Sequence, residues 1–183
     1  MNCPICKQPT LQATTLAQAI PAHHCKICGG IFLSFNAYWK WRQKHPENEN
    51  AGAQVIVPPE AVERKQAKIC PECGHLLIPY KILPGVQFLL DHCGSCNGVW
   101  FDGNEWAVLE KHQLYGRLNE FFTQPWQRNI RQQESRVRME GLYRQRFGEE
   151  DYARLKEIKA WLEARPNKAA MLAYLQSEDP YEA

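Results

Sequence analysis

Eight cysteines, all between residues 3 and 96 and all in C-x-x-C pairs, constrain this 183-residue chain more than any other feature. The pairs are Cys3 with Cys6, Cys25 with Cys28, Cys70 with Cys73, and Cys93 with Cys96. Eighteen residues separate the first two pairs and nineteen the last two, the spacing of a four-thiolate zinc site. Two thiolates three residues apart on a tight turn can both face one ion at about 2.3 Å. Pro4 and Pro71 fix φ at the start of two of these turns. Gly30 and Gly98, two places after Cys28 and Cys96, are expected to take positive φ where the chain leaves the turn. Redox pairs are a rival reading, but a thioredoxin-type pair opens a helix in a βαβ setting. Here the helical pattern starts several residues after the cysteines. Iron suits the same four thiolates. A crossed site uniting the first and fourth pairs is open to the sequence, although local pairing closes shorter loops. The expectation is two zinc ions, each held by the four cysteines of one half.

The cysteines also mark a duplication. Residues 25 to 38 read CKICGGIFLSFNAY and residues 93 to 106 read CGSCNGVWFDGNEW. Before each lies a hairpin pattern: TLQATTL with AIPAHH in the first copy, and LLIPYKIL with VQFLLDH around Pro84-Gly85 in the second. GIFL and GVWF then read as a third short strand. A unit of about 35 residues buries too little apolar surface to fold alone. A structural zinc site supplies about 10–16 kcal/mol of binding free energy that acts as folding free energy. With four protein ligands already present, neither site has the open position of a catalytic zinc. No HExxH, GxSxG, P-loop or dinucleotide motif occurs, so a non-enzymatic protein is expected. His24 and His92 precede the second cysteine pair of each copy and read as strand residues covering the site. Asp91 and His92, as strand neighbours, point to opposite faces. Glu72 reads as solvated.

C-P-x-C, a hairpin, and then C-x-x-C-x-G-V-W-F-D-G-N-E resembles the bacterial zinc-ribbon family called the transcription factor zinc-finger family, after transcription factor IIB. The resemblance covers residues 70 to 106 closely and residues 3 to 38 recognisably. It implies zinc binding in each copy, and the family's name implies transcription, though fold does not imply function. The first copy departs from the pattern. Lys7 stands in place of Gly74, Gly29 of Asn97, Ser34 of Asp102, and Ala37 of Glu105. Asp102 with Glu105 has capping-box spacing, which reads as helix-start chemistry. Ser34 can still cap.

After Ser34, FNAYWKWRQKH reads as a short helix ending before Pro46. Its Lys40, Arg42 and Lys44 interleave with Tyr38, Trp39 and Trp41, a pattern that can hold phosphates and stack bases or simply pack its rings on the ribbon. PENENAGAQ reads as a polar linker and PPEAVERKQAK as a short helix. From residue 102 the pattern is helical: a helix from Gly103 to about Phe122 stopping near Pro125, one from Trp126 to Phe147 ended by Gly148, one from Glu150 to Ala164, and one starting at Pro166. The segment 126–147 holds six arginines, 128, 131, 136, 138, 144 and 146, against Glu134 and Glu140. Arg128, Arg131, Arg136 and Arg138 are thus candidates for polyanion contact, and arginine is also enriched in protein interfaces.

The fold class expected is α+β: two small four-cysteine ribbons of short antiparallel strands, then a largely α-helical C-terminal region. The domains expected are 1–45, a ribbon with a short helix; 46–68, a linker; 69–123, a ribbon with its helix; and 124–183, a helical arm. Whether the ribbons pack together is open. No apolar run reaches the ~20 residues of a membrane span, and the start MNCPICKQPT lacks signal-peptide character, so a cytoplasmic protein is expected. The function expected is docking on a macromolecular assembly through protein contacts. The alternatives are a nucleic-acid-binding or transcription-associated regulator, and a zinc-dependent thiol chaperone.

Overall fold

Short runs of alternating apolar residues, each ended by a knuckle or a turn, build six strands in the computed structural model. It describes residues 1–16, 19–46, 66–85 and 89–181, which divide into two compact units, Met1–Glu134 and Ser135–Ala183. The strands are β1 (Leu11–Leu16), β2 (Ile20–Cys25), β3 (Ile31–Leu33), β4 (Leu77–Lys81), β5 (Leu89–Cys93) and β6 (Val99–Phe101). All six form one antiparallel sheet in the order β1-β2-β3-β6-β5-β4. The two ribbons therefore share a sheet, and their seam is β3 against β6.

That seam is self-complementary. Ile31 faces Phe101, Phe32 faces Trp100, and Leu33 faces Val99. A shift of 68 residues carries β3 onto β6, so each contact has its own image, as in a two-fold dimer interface built within one chain. The glycines of the motif serve this seam. A Cβ on Gly30 would lie 2.1 Å from Trp100 Cζ2, and one on Gly98 would lie 2.6 Å from Phe32 Cζ. Each ribbon's glycine thus seats the other ribbon's ring. The expected positive φ at Gly30 and Gly98 is corrected: it belongs to the residue directly after each knuckle's second cysteine. These are Lys7 (φ 56°), Gly29 (73°), Gly74 (76°) and Asn97 (58°). Their amides donate to the carbonyl of the first cysteine at 2.8–3.0 Å and close the turn. That is left-handed backbone at the end of a tight loop.

The sheet separates two apolar layers, as its period of two requires. On one face Phe32 and Trp100 pack with the cysteines, Leu11 and Leu77. On the other, Leu33, Val99, Phe101, Ile20 and Leu90 meet the helices. Helix α1 (Phe35–Lys44) starts on Ser34, whose Oγ accepts from Ala37 N at 3.3 Å. The helix expected from Gly103 to Phe122 is three pieces: α2 (Glu105–Lys111), a 3-10 turn (Leu114–Arg117) and α3 (Leu118–Phe121). Gln113, at φ 54°, breaks it. The bend lets Trp106, Leu109, Leu114, Leu118 and Phe121 all enter the core, which a single straight helix with one apolar stripe cannot do. The Tyr38 hydroxyl donates to Gly116 O at 3.0 Å and accepts from Leu118 N at 3.2 Å, tying α1 to this bent segment.

Helix α4 (Gln124–Phe147) takes Pro125 into its first turn, where the missing amide would have no helical partner. Trp126 Nε1 donates to Ile82 O at 2.8 Å, and Gln127 Nε2 donates to Lys81 O and Phe121 O, both at 2.7 Å. In the second unit, Gly148 (φ 84°) separates α4 from α5 (Glu149–Glu163), and α6 is Lys168–Gln176. The last helix starts two residues later than expected, with Pro166 and Asn167 in the preceding turn. The expected linker and short helix between the ribbons lie almost wholly outside the described residues. No described helix is long and apolar enough to cross a membrane.

The seam sets a stability expectation. Gly30→Ala should destabilise the protein by about 1–3 kcal/mol, the usual cost of overpacking, and Trp100→Ala by about 3–5 kcal/mol. Gly94→Ala, with open space around its Cβ position, should leave the denaturation midpoint nearly unchanged. Urea titrations of the zinc-loaded proteins measure all three.

Candidate metal centres

Each ribbon brings its four sulfurs together at the end of its sheet. Cys3 and Cys6 lie in the loop before β1, Cys25 ends β2, and Cys28 sits in the knuckle before β3; Cys70, Cys73, Cys93 and Cys96 repeat this around β4, β5 and β6. Within each set the sulfurs all lie within 4.8 Å of one another. Cys3 and Cys28 sulfurs are 3.5 Å apart and Cys6 and Cys25 3.9 Å. Cys70 and Cys96 are 3.5 Å apart and Cys73 and Cys93 3.3 Å. A tetrahedral ion with Zn–S of about 2.3 Å has S···S edges near ~3.8 Å, whereas a disulfide would need about 2.05 Å. Two four-cysteine clusters of this size fit two structural zinc ions. The pairing is local, first pair with second and third with fourth, and the crossed arrangement does not occur.

The surroundings polarise the thiols unequally. Burial acts upward on Cys25, but the Thr10 hydroxyl, whose Oγ1 lies 3.1 Å from the sulfur, and the Cys28 and Ile27 amides bring it down to about 6. The His75 amide leads the groups that hold Cys73 near 6. Burial pushes Cys28 and Cys96 well above the usual thiol range. Burial likewise raises Cys6 and Cys70, so each cluster holds one thiol below the usual range and two above it, which a metal's charge would help to deprotonate.

The histidines stand outside both clusters. His92 is buried with its ring stacked on Phe122 at 4.2 Å and edge-on to Tyr80 at 5.8 Å, and burial lowers its pKa. His24 is half-buried in β2, opposite Ile31. Asp91 points away from His92, as strand alternation demands, and pairs with Lys68. Glu72 is exposed.

Lys68 is the residue that sequence reasoning missed. It sits just before the second ribbon, is buried, and pairs with both Asp91 and Asp102, the latter at 2.6 Å. Nothing in a charged linker sequence marks one lysine for burial. This pair also corrects the expected cap. Asp102 does not cap the helix: it accepts from Trp100 Nε1 at 2.7 Å and holds Lys68. Only the return half of the capping box forms, with Glu105 Oε2 accepting from Asp102 N at 2.8 Å. Glu105 is 0% exposed, and its Oε1 has no partner among the described residues. Burial, with Asp102 and Asp91 nearby, raises its pKa to about 9, so the carboxyl is protonated at neutral pH.

Among the interaction residues expected from sequence, Lys40, Lys44, Arg128, Arg131, Arg136 and Arg138 are exposed. Arg42 is corrected. It is 9% exposed, and its Nη1 donates to His45 O at 2.7 Å, closing α1. Of the aromatic residues beside them, Tyr38 and Trp41 belong to the core, and Trp39 is exposed.

Chelation should abolish the β signal in far-UV circular dichroism, and Cys73→Ser should lower zinc content from two ions toward one, read by elemental analysis. Zinc loading at pH 7 should release at least one proton per site, seen as a buffer-dependent heat in calorimetry. Glu105 binds its proton more tightly folded than unfolded, so this group's contribution to stability falls as pH rises from about 4.5 toward about 9. Glu105→Gln should therefore gain on the wild type as pH rises from 6.5 to 9 in parallel urea titrations.

Comparison with known proteins agrees with this geometry. The family described as transcription factor zinc-finger matches residues 2–44 and 69–110, each match ending within or at the end of the first helix after its ribbon. No family matches the helical region that follows. No curated protein and no solved structure matches the chain. Residues 2–44 and 69–110 thus each match the zinc ribbon of the transcription factor zinc-finger family, and the two matching copies face each other within one sheet.

Proposed function

We propose that the protein is a non-enzymatic adaptor that docks on a macromolecular assembly through protein contacts, with the zinc-stapled double ribbon as its rigid base. The observation that carries this reading is the surface of the second unit. Its 49 residues, Ser135–Ala183, bury only Tyr152 and Leu162 among their described residues. Val137, Leu142, Leu155, Ile158, Trp161, Tyr174 and Leu175 are all exposed. A segment of this size cannot form an adequate core from two side chains. Large apolar residues exposed in such number mark an interaction surface. Both metal sites use four thiolates, which supports a structural role for the ions.

A second reading, nucleic-acid binding, draws support from the exposed Arg128, Arg131, Arg136 and Arg138 of α4 and from the name of the ribbon family. The second unit itself carries nine Lys/Arg and nine Asp/Glu, which gives a polyanion little net attraction. Capture of partners from native extract with tagged full-length protein tests the choice. Protein partners that survive nuclease and are lost with Leu155→Glu/Ile158→Glu support the adaptor. Binding that disappears with nuclease and weakens steeply with salt, as phosphate contacts require, supports the second reading.

A further inference from the structure

The two ribbons are copies of one backbone, so each is a control for the other. At surface positions, a residue that one copy carries and the other does without is free of any demand of the fold. Phe35 and Trp39 of α1 are such residues. They are 41% and 42% exposed and stack on each other at 6.0 Å with planes 14° apart. The 68-residue shift matches them with Gly103 and Ala107 in the second copy. A helix follows both ribbons: Ala107 lies within α2, whereas Gly103 precedes it with φ 39°, and only the first copy displays rings at these positions.

Phe35 also lines a cavity of about 210 Å³, whose walls include Tyr38, Val99, His92, Leu118 and Phe122. The polar groups that join them, Ser34, Asn97, Asn119 and Thr123, are all neutral, and among the described residues no Lys, Arg, Asp or Glu lines it. Such a space takes an uncharged side chain. The two copies differ in charge. Residues 2–44 hold five Lys/Arg (Lys7, Lys26, Lys40, Arg42, Lys44) and no Asp or Glu, whereas residues 69–110 hold Lys81 alone against Glu72, Asp91, Asp102, Glu105 and Glu110. Lys40 and Lys44, both exposed, lie one and five residues beyond Trp39 on α1.

We propose that the first ribbon is a docking site for an acidic peptide segment of a protein partner. An aromatic or leucine side chain of that segment fills the cavity beside Phe35, its backbone crosses Trp39, and its carboxylates lie against Lys40 and Lys44. The site deepens the adaptor reading and rests on it by naming the partner's chemistry. A nucleic acid suits the site less well. Its one arginine is buried on its own helix, and no described cation lines the cavity, so phosphates find no forked donor beside the rings among the described residues.

Selection of phage-displayed random dodecapeptides on the zinc-loaded full-length protein tests this, with Phe35→Ala/Trp39→Ala and Lys40→Glu/Lys44→Glu as comparison proteins. The expected result is enrichment of peptides that combine net negative charge with an aromatic residue or leucine. Synthetic versions should bind at least tenfold more weakly to either double variant, with the zinc content and circular dichroism of both variants unchanged. Enrichment of basic or uncharged peptides, no enrichment, or equal binding by the variants overturns the proposal. So does tighter binding of a fluorescent oligothymidine dodecamer than of the selected peptides, which would give the rings to single-stranded nucleic acid. In the extract experiment above, a protein partner retained by Phe35→Ala/Trp39→Ala removes this site and leaves the adaptor standing.

Discussion

The exchange of rings across β3 and β6 is the contact on which the rest of the fold depends. Trp100 lies where a side chain on Gly30 would be, and Phe32 lies where one on Gly98 would be. Three residue pairs make a short seam, and its central rings are fully enclosed. A three-stranded ribbon of about 35 residues has too much surface for its volume. Joined back to back, the two become one six-stranded sheet with an interior on each face. Duplication followed by self-pairing gives the stability of a symmetric dimer without dependence on concentration.

The two faces then do different work. One is closed by sulfur and by the exchanged rings, and there the metal ions act as staples at the sheet's ends. The other is closed by helices, and there the bend at Gln113 folds an apolar stretch back over the strands. Between the ring exchange and α2 lies a buried polar group: the charged Lys68, Asp91 and Asp102, and the protonated, neutral Glu105. Lys68 fastens the chain entering the second ribbon to the strand leaving it. Buried ion pairs add little net stability, but removing one partner strands the other charge at a cost of about 3–5 kcal/mol. The group therefore specifies this arrangement more than it strengthens it.

The copies have diverged in charge, in surface and in the helix that follows, while their knuckles and strands keep one pattern. The second keeps the acids that build the buried group. The first has none, caps α1 with Ser34, and carries exposed rings on α1. Such division suits a protein in which one copy secures the fold and the other is free to meet a partner.

The metal centres were legible in the sequence because a C-x-x-C turn is a local object: its geometry is set by four residues, and its spacing to the next turn by one hairpin. The strands, the Ser34 cap, and α4 and α5 nearly to their ends were legible for the same reason, since each follows from neighbours in the chain. What sequence reasoning assigned to Gly30 and Gly98, to Asp102, to Arg42 and to the stretch Gly103–Phe122 was decided elsewhere, by groups far away along the chain. A glycine needed for a distant ring looks like one needed for φ. An aspartate that holds a distant lysine looks like a cap, and a helix bent to cover a sheet reads like a straight one. Sequence by itself determined where the sulfurs gather and which segments become strands or helices, because those are short-range consequences of spacing and periodicity. Only the tertiary structure decided that the ribbons share one sheet and which polar groups go inside, because burial and strand pairing depend on which surfaces meet.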